Sequence, residues 1–327
     1  MNMELRQDPT SGTWTLTGLE KKSDERITFC PFCPGKESEN PQPIYEKFNK
    51  SGDWSIRVFP SIPPVFRSEG DKTRRAVGMY DLMGNYGAHE IIVETPYHNT
   101  TLSALSTDEL VDVLFAYRQR IIDLKMDSTI RYILIFKNQG PLTGSTIQHL
   151  HSHIVGTPVI PERIERELRL GKNHYDLKER CQYCDIIFQE SKKRERIVCE
   201  NDEFISFTPF ASRFPYETWI FPKIHSHSFE KGIEQKGTAR LLALHLKDTL
   251  RRIERITKSY SLVLHNSPNE NTFRTIGGGL GTLFEDFHWH IELLPGTVKT
   301  SRVKREEEFY TNSLFPEEAA KILRKME

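Results

Sequence analysis

The sequence predicts an α+β protein made of two tandem, diverged copies of one unit, each an antiparallel sheet with packed helices. Three observations predict it. A C-x-x-C pair occurs twice, at Cys30/Cys33 and Cys181/Cys184. A strand-then-helix-then-strand order follows each pair. Each copy then closes on a histidine doublet, His149-Leu150-His151 and His288-Trp289-His290. A chain of 327 residues also exceeds what one hydrophobic core usually serves.

In the first copy the apolar run His89–Glu94 alternates as a strand and ends at Pro96 and His98. Its counterpart is Tyr216–Phe221, ending at Pro222 and His225. The offset is 127 residues both from Glu90 to Glu217 and from His98 to His225. Helices come next. Ser106 and Glu109 have capping-box spacing, and Leu110, Leu114, Tyr117, Ile121 and Leu124 repeat at helical period. Leu242, Leu246, Leu250, Ile253 and Ile256 repeat in the same way in the second copy. Apolar strands follow at Tyr132–Asn138 and Tyr260–Asn266. The extra residues of the second copy, including Gly277, Gly278, Gly279 and Gly281, precede its doublet. The charged stretch Pro161–Arg180 reads as a solvated helix between copies, dividing the chain into residues 1–165 and 166–327.

Composition narrows the function class. Hydrophobic residues make up 37 % and charged residues 28 %, with 45 basic against 45 acidic side chains, as in ordinary soluble globular proteins. That balance favours neither a nucleic-acid partner nor a membrane surface. No run approaches the ~18 apolar residues of a membrane span. The start, MNMELRQDP, has no apolar signal core, so the cytoplasm is the expected location.

Five cysteines in such a chain argue against a disulfide framework. Two readings of the C-x-x-C pairs remain: a redox thiol of lowered pKa, or half of a tetrahedral zinc site. Both pairs stand in turn-like surroundings with no evident redox helix behind them, which favours zinc. Cys30, Cys33, His98 and His149 make one candidate set, and Cys181, Cys184, His225 and His288 the other. His227 competes with His225. Two thiolates and two imidazoles close a tetrahedron, so both sites would be structural. The lone Cys199 reads as a small buried side chain.

Residues 149–153 read His-Leu-His-Ser-His. In a strand, alternate residues share a face, so His149, His151 and His153 line one surface. One ring can bind metal, one attack, and one hold the electrophile's oxygens. A backbone carbonyl accepting from Nδ1–H of His151 would leave Nε2 free to attack an α-phosphorus. Asn138, Gln139, the Gly144–Ser145 backbone, Ser145, Ser152 and His153 are candidate oxygen donors. His290, the counterpart of His151, reads as a relic, a packing residue or an auxiliary ligand.

The pattern His-Leu-His-Ser-His-Ile-Val resembles the histidine-triad motif. The chain as a whole resembles the galactose-1-phosphate uridylyltransferase family, which also contains ADP-glucose phosphorylases. The resemblance runs through Arg6-x-Asp8-Pro9-x-x-Gly12-x-Trp14, Cys30-Pro31-Phe32-Cys33-Pro34-Gly35 and Arg57-Val58-Phe59-Pro60. It continues through Gly87-Ala88-His89-Glu90, Pro96-x-His98, Phe136-Lys137-Asn138-x-Gly140, the first doublet and Pro316-Glu317-Glu318-Ala319-Ala320.

The resemblance implies two histidine-triad-like domains and His151 as nucleophile. Beside what the resemblance implies, the sequence itself offers His153, Ser145 and Asn138 as catalytic partners, and Arg57, Gln139, Gly144, Ser152 and Lys304 as candidate substrate contacts. The resemblance also implies zinc in both Cys2His2 sets and a homodimer. The implied reaction is ping-pong: His151 takes a nucleoside monophosphate from a nucleotide sugar, releases a sugar 1-phosphate, and hands the nucleotide to a second acceptor. Adenylyl phosphorolysis or dinucleoside-polyphosphate cleavage is the alternative, and a silent zinc-bearing binding module a third. Four positions depart from the family pattern. His153 stands where the transferases have Gln, Leu150 replaces a proline, and Ser61 an asparagine. Lys304 falls where a hexose-contacting glutamate is expected, so with Arg305 it is a candidate contact for a phosphate-bearing acceptor.

Overall fold

The structure, a computed structural model, describes residues 3–19, 29–145, 147–272, 281–296 and 310–326. The first copy supplies β1 (Glu4–Gln7), β2 (Trp14–Thr17), β3 (Tyr45–Phe48), β4 (Trp54–Pro60), β5 (Arg74–Val77), β6 (Tyr80–Gly84), β7 (Ala88–Val93), α1 (Thr107–Lys125), β8 (Tyr132–Gln139) and β9 (His151–Thr157). The second supplies α2 (Glu162–Lys178), α3 (Gln182–Lys193), β10 (Ile197–Glu200), β11 (Phe204–Phe207), β12 (Thr218–Pro222), α4 (Phe229–Gly232), α5 (Lys236–Ile256), β13 (Tyr260–His265) and β14 (His290–Pro295). Short helices at Leu283–Asp286 and Pro316–Arg324 and 3-10 turns at Glu37–Glu39 and Pro141–Thr143 complete the described elements.

The two copies do not each close a sheet of their own, as the sequence led us to expect. They share one ten-stranded sheet, ordered β10-β11-β12-β14-β13-β8-β9-β7-β4-β3. From either edge inward, each half runs first, second, third, fifth, fourth strand in chain order, and neighbouring strands pair antiparallel. The repeat order is therefore the same in both halves. The junction is β8 against β13, from Tyr260↔Gln139 to Leu264↔Ile135. In each half the fourth strand would otherwise be an open edge with unpaired backbone groups. Pairing the two edges removes both at once.

The helices α1 and α5 pack on one face of this sheet. Leu110, Leu114, Tyr117 and Ile121 of α1 and Leu242, Leu246, Leu250 and Ile253 of α5 are all buried in one core cluster. Each such side chain contributes roughly 1.5–3 kcal/mol by leaving water. The capping box is formed: Ser106 Oγ accepts from Glu109 N at 3.2 Å, and Ser106 N donates to Glu109 Oε2 at 2.7 Å. Because α1 and α5 cover one face, strand alternation turns the histidines of β9 to the opposite face, part of which α2 and α3 cover.

Two expectations need correction. The charged stretch 161–180 is helical over Glu162–Lys178, but it is not solvated all round. Ile164 and Leu168 pack against Tyr132, Leu283 and Phe287, and Arg163 and Glu167 pair with buried side chains, while Lys172–Asp176 pairs outside. The second C-x-x-C does begin a helix: Cys181 is the N-cap of α3. A four-stranded sheet, β2-β1-β6-β5, was not expected at all. Its strands are short and mostly polar, below what periodicity reveals. Among the described residues no helix is long and apolar enough to cross a membrane.

Candidate active site and metal centres

The face of the sheet opposite α1 and α5 carries a cleft of about 560 Å3. Its lining includes His151 and His153 of β9, Asn138 of β8, Gly144, Ser145, Phe32, Phe59, His89 and Arg67. The β9 histidines reach it because they occupy alternate positions of one strand. Their rings stand edge to face with centroids 5.3 Å apart. Phe32, from the first C-x-x-C loop, sets its ring 5.2 Å from that of His151.

The tautomer of His151 follows from its partner. Nδ1 lies 2.6 Å from the carbonyl oxygen of His149, which only accepts. Nδ1 therefore carries the proton, and Nε2 keeps its lone pair. Burial, with Lys137 next in weight, pushes the ring's pKa down to about 3, so the imidazole is neutral. His153 lies flat on Phe136, with ring centroids 5.0 Å apart, and its Nδ1 is 3.1 Å from His89 Nε2. Asn138 Oδ1 accepts from Ser261 Oγ at 2.7 Å, which orients its amide nitrogen. Ser145 Oγ donates to the Ile147 carbonyl at 3.1 Å. Gly144 adopts φ 80°, a left-handed conformation that favours glycine.

Three expected substrate contacts are not in the cleft. Ser152 is one residue out of phase with the histidines. It points to the helix side, fully buried, and donates to Glu94 Oε1 at 2.5 Å. Gln139 is out of phase with Asn138 for the same reason, and it lies outside the cleft lining. Arg57 is buried and ion-paired to Glu46 at 2.9 Å. Lys304 and Arg305 lie outside the described residues. Ser152→Ala is accordingly expected to cost about 1–2 kcal/mol of stability, because it takes a buried donor from Glu94. Urea unfolding checks this, and an unchanged midpoint contradicts the buried placement.

Both Cys2His2 sets converge. In the first, Cys30 Sγ is 3.5 Å and Cys33 Sγ 3.7 Å from His149 Nδ1, and Cys33 Sγ is 3.4 Å from His98 Nδ1. In the second, Cys184 Sγ is 3.4 Å from His225 Nδ1 and 3.6 Å from His288 Nδ1. All four donor atoms of each set lie within 4.8 Å of one another. A tetrahedron with bonds of about 2.0–2.3 Å has edges of roughly 3.3–3.8 Å, so the spacing fits zinc. The rings are also held for it. Nε2 of His149 faces the Thr95 carbonyl at 2.7 Å, that of His225 the Phe284 carbonyl at 2.8 Å, and that of His288 the Pro222 carbonyl at 3.0 Å. Each Nε2–H donates outward, so Nδ1 presents its lone pair to the site. His227 is not in the set; it pairs with Glu270 at 2.8 Å.

A third group, Glu167, His265, His290 and Glu292, has donor atoms equally close. Its chemistry differs. His265 Nδ1 faces Glu167 at 3.0 Å, and its Nε2 faces Glu292 at 3.5 Å. Burial opposes a charge on His265, but Glu167 and Glu292 outweigh it and push the pKa up to about 10. A ring donating from both nitrogens offers a metal no lone pair. Glu292 is further paired with Arg163 and with Arg213. This group is an ion network. His290 keeps the local geometry of His151, with Nδ1 3.1 Å from the His288 carbonyl, but it is buried and stacked on Phe221 and His265.

Sequence reasoning missed Phe32, Lys137, His89 and Glu94 as parts of this region. His89 and Glu94 read only as strand positions, and their partners come from elements far along the chain.

Comparison with known proteins gives one consistent picture. The family described as "Galactose-1-phosphate uridyl transferase, N-terminal domain" matches residues 6–161. An ADP-glucose phosphorylase from Arabidopsis thaliana is 27 % identical, the match covering 99 % of this chain and 93 % of that protein. A galactose-1-phosphate uridylyltransferase from Thermotoga maritima is 26 % identical, over 99 % of each. The crystal structure of an ADP-glucose phosphorylase from Arabidopsis thaliana with bound ADP-glucose superposes with a TM-score of 0.79 at 27 % identity, covering 99 % of both chains.

Proposed function

We propose that this chain belongs to the galactose-1-phosphate uridylyltransferase family, and that it moves a nucleoside monophosphate between a nucleotide sugar and a phosphate-bearing acceptor through a covalent bond to His151. One observation carries the assignment of the nucleophile. His151 lines the cleft with Nδ1 tied to the His149 carbonyl, so Nε2 is its nucleophilic nitrogen.

In the first half-reaction Nε2 forms an N–P bond to the α-phosphorus, and the P–O bond to the sugar 1-phosphate breaks. The leaving group departs as an anion. In the second, an oxygen of the acceptor phosphate forms the new P–O bond, the N–P bond breaks, and the ring regains its lone pair. Both steps need donors for the equatorial oxygens. The Asn138 amide, the Gly144–Ser145 backbone, Ser145 and His153 are our assignments for that role. Zinc would occupy both Cys2His2 sets, where it would fix the loops and the doublets structurally. We read residues 1–165 and 166–327 as two histidine-triad-like domains. We place the protein in the cytoplasm as a homodimer, without nucleic-acid or membrane partners.

A second reading has a specific observation behind it: the Arabidopsis thaliana relative is an ADP-glucose phosphorylase. On that reading inorganic phosphate is the acceptor, and ADP leaves. One experiment separates the two. The protein is incubated with UDP-glucose or ADP-glucose and examined by intact-mass spectrometry, then supplied with galactose 1-phosphate or phosphate. A uridylyl or adenylyl adduct that only a sugar 1-phosphate discharges supports the transferase. Discharge by phosphate supports the phosphorylase. No adduct with either nucleotide sugar defeats both.

A further inference from the structure

Behind the nucleophile strand, on its helix side, lies a polar network that the proposed reaction leaves unused. Lys137 of β8 and Glu94, just past β7, have fully buried side chains, joined at 2.7 Å. Glu94 also accepts from Ser152 and from Tyr117, whose oxygens lie 2.6 Å apart. The remaining bond of Lys137 goes to the backbone carbonyl of His151, at 2.5 Å. Taking an ammonium and a carboxylate fully out of water costs several kcal/mol per ion, and well-packed apolar residues would often serve stability as well.

The ladder explains what this ammonium does. Glu94 N–H bonds the Leu150 carbonyl, and β7 pairs β9 in the register Val93↔His151. In an antiparallel ladder hydrogen-bonded and non-bonded pairs alternate, so the peptide groups of His151 point away from β7, towards β8. The β8–β9 register runs only from Tyr132↔Thr157 to Phe136↔His153. It stops two residues short of His151, where β9 parts from β8 and the cleft begins. Lys137 puts a side-chain donor where the backbone ladder has ended.

We propose that Lys137 is a positioning residue for the nucleophile: its ammonium holds the His151 carbonyl and so fixes the peptide from which the attacking ring hangs. This inference rests on His151 being the nucleophile. Two bonds then set the imidazole, one from Lys137 to the His151 backbone and one from Nδ1–H to the His149 carbonyl. Glu94 neutralises the ammonium, and Tyr117 and Ser152 satisfy Glu94.

The test uses Lys137→Met together with Glu94→Gln in the metal-loaded protein, because Lys137→Met alone leaves a lone buried carboxylate that destabilises the fold. UDP-glucose and ADP-glucose are the probes. Single-turnover adduct formation on His151 should slow by about 10–100-fold in the double variant, while KM stays within about twofold. Bound metal and the melting temperature should stay close to parental. A folded double variant that forms the adduct at the parental rate overturns the proposal, as does a loss that falls equally on KM and kcat.

A second readout needs no turnover. Labelling histidine carbonyl carbon and serine nitrogen selects the His–Ser peptides 151–152, 225–226 and 227–228. The His151 carbonyl resonance should move in the double variant and the other two should not. An unmoved His151 resonance overturns the proposal whatever the activity. If the resonance moves but the parental protein forms no adduct, the nucleotidyl-histidine reading fails, and with it the catalytic purpose assigned to Lys137.

Discussion

Replacing His151 with alanine is expected to lower kcat by at least about 10^4-fold and to abolish the nucleotidyl adduct in intact-mass spectra, with little change in the unfolding midpoint. The size follows from the chemistry. Without Nε2 the nitrogen assigned to form the N–P bond is gone, and direct transfer between two anionic substrates has to replace two easier steps. The small stability effect follows from position. His151 lies at the start of β9 and lines the cleft, so truncation opens space into the cleft and makes no closed cavity. Near-parental turnover by His151→Ala would remove the basis of the mechanism. A large loss of stability would make the kinetic result uninterpretable for that variant, and His151→Gln would then replace it.

Loss of the first metal site is expected to have the second largest effect. Cys33→Ser should release one equivalent of zinc per chain and lower kcat by about 10–100-fold. Cys33 lies near the Nδ1 atoms of both His98 and His149, and the His149 carbonyl holds Nδ1–H of His151. Loosening that residue releases the orientation of the ring two positions on. Cys184→Ser should also lose one equivalent, but its effect should fall more on stability than on rate. Metal in the second set would tie α3 to the start of β14, away from the cleft. A fall of about 5–10 °C in melting temperature is expected for either variant. Metal analysis with melting curves and steady-state kinetics on both variants checks the contrast. Equal kinetic losses at the two sites would show that the His149 link is not what couples metal to rate.

Much of the architecture was legible because it is periodic. The strands expected over His89–Glu94 and Tyr216–Phe221, the capping box at Ser106, and the helical repeats from Leu110 and Leu242 correspond to elements of the expected type at Ala88–Val93, Thr218–Pro222, Thr107–Lys125 and Lys236–Ile256. Short polar strands such as Glu4–Gln7 and Arg74–Val77 carry too few apolar residues to announce themselves. The Cys2His2 sets were legible because their members recur in order in both copies. Ser152 and Gln139 were misplaced by a single residue of strand phase, and one residue in a strand is the difference between cleft and core.

The sequence by itself determined the local events: where strands and helices form, that the unit occurs twice, and that His151 and His153 share a face. Those depend on neighbours within a few residues, so spacing records them. The tertiary structure decided the rest. It joined the halves at β8 and β13, set the buried Lys137 ammonium behind His151, and made an ion network of Glu167, His265 and Glu292. These contacts join residues far apart in the chain. Their energies depend on burial and on which charges meet, and no local pattern carries that information.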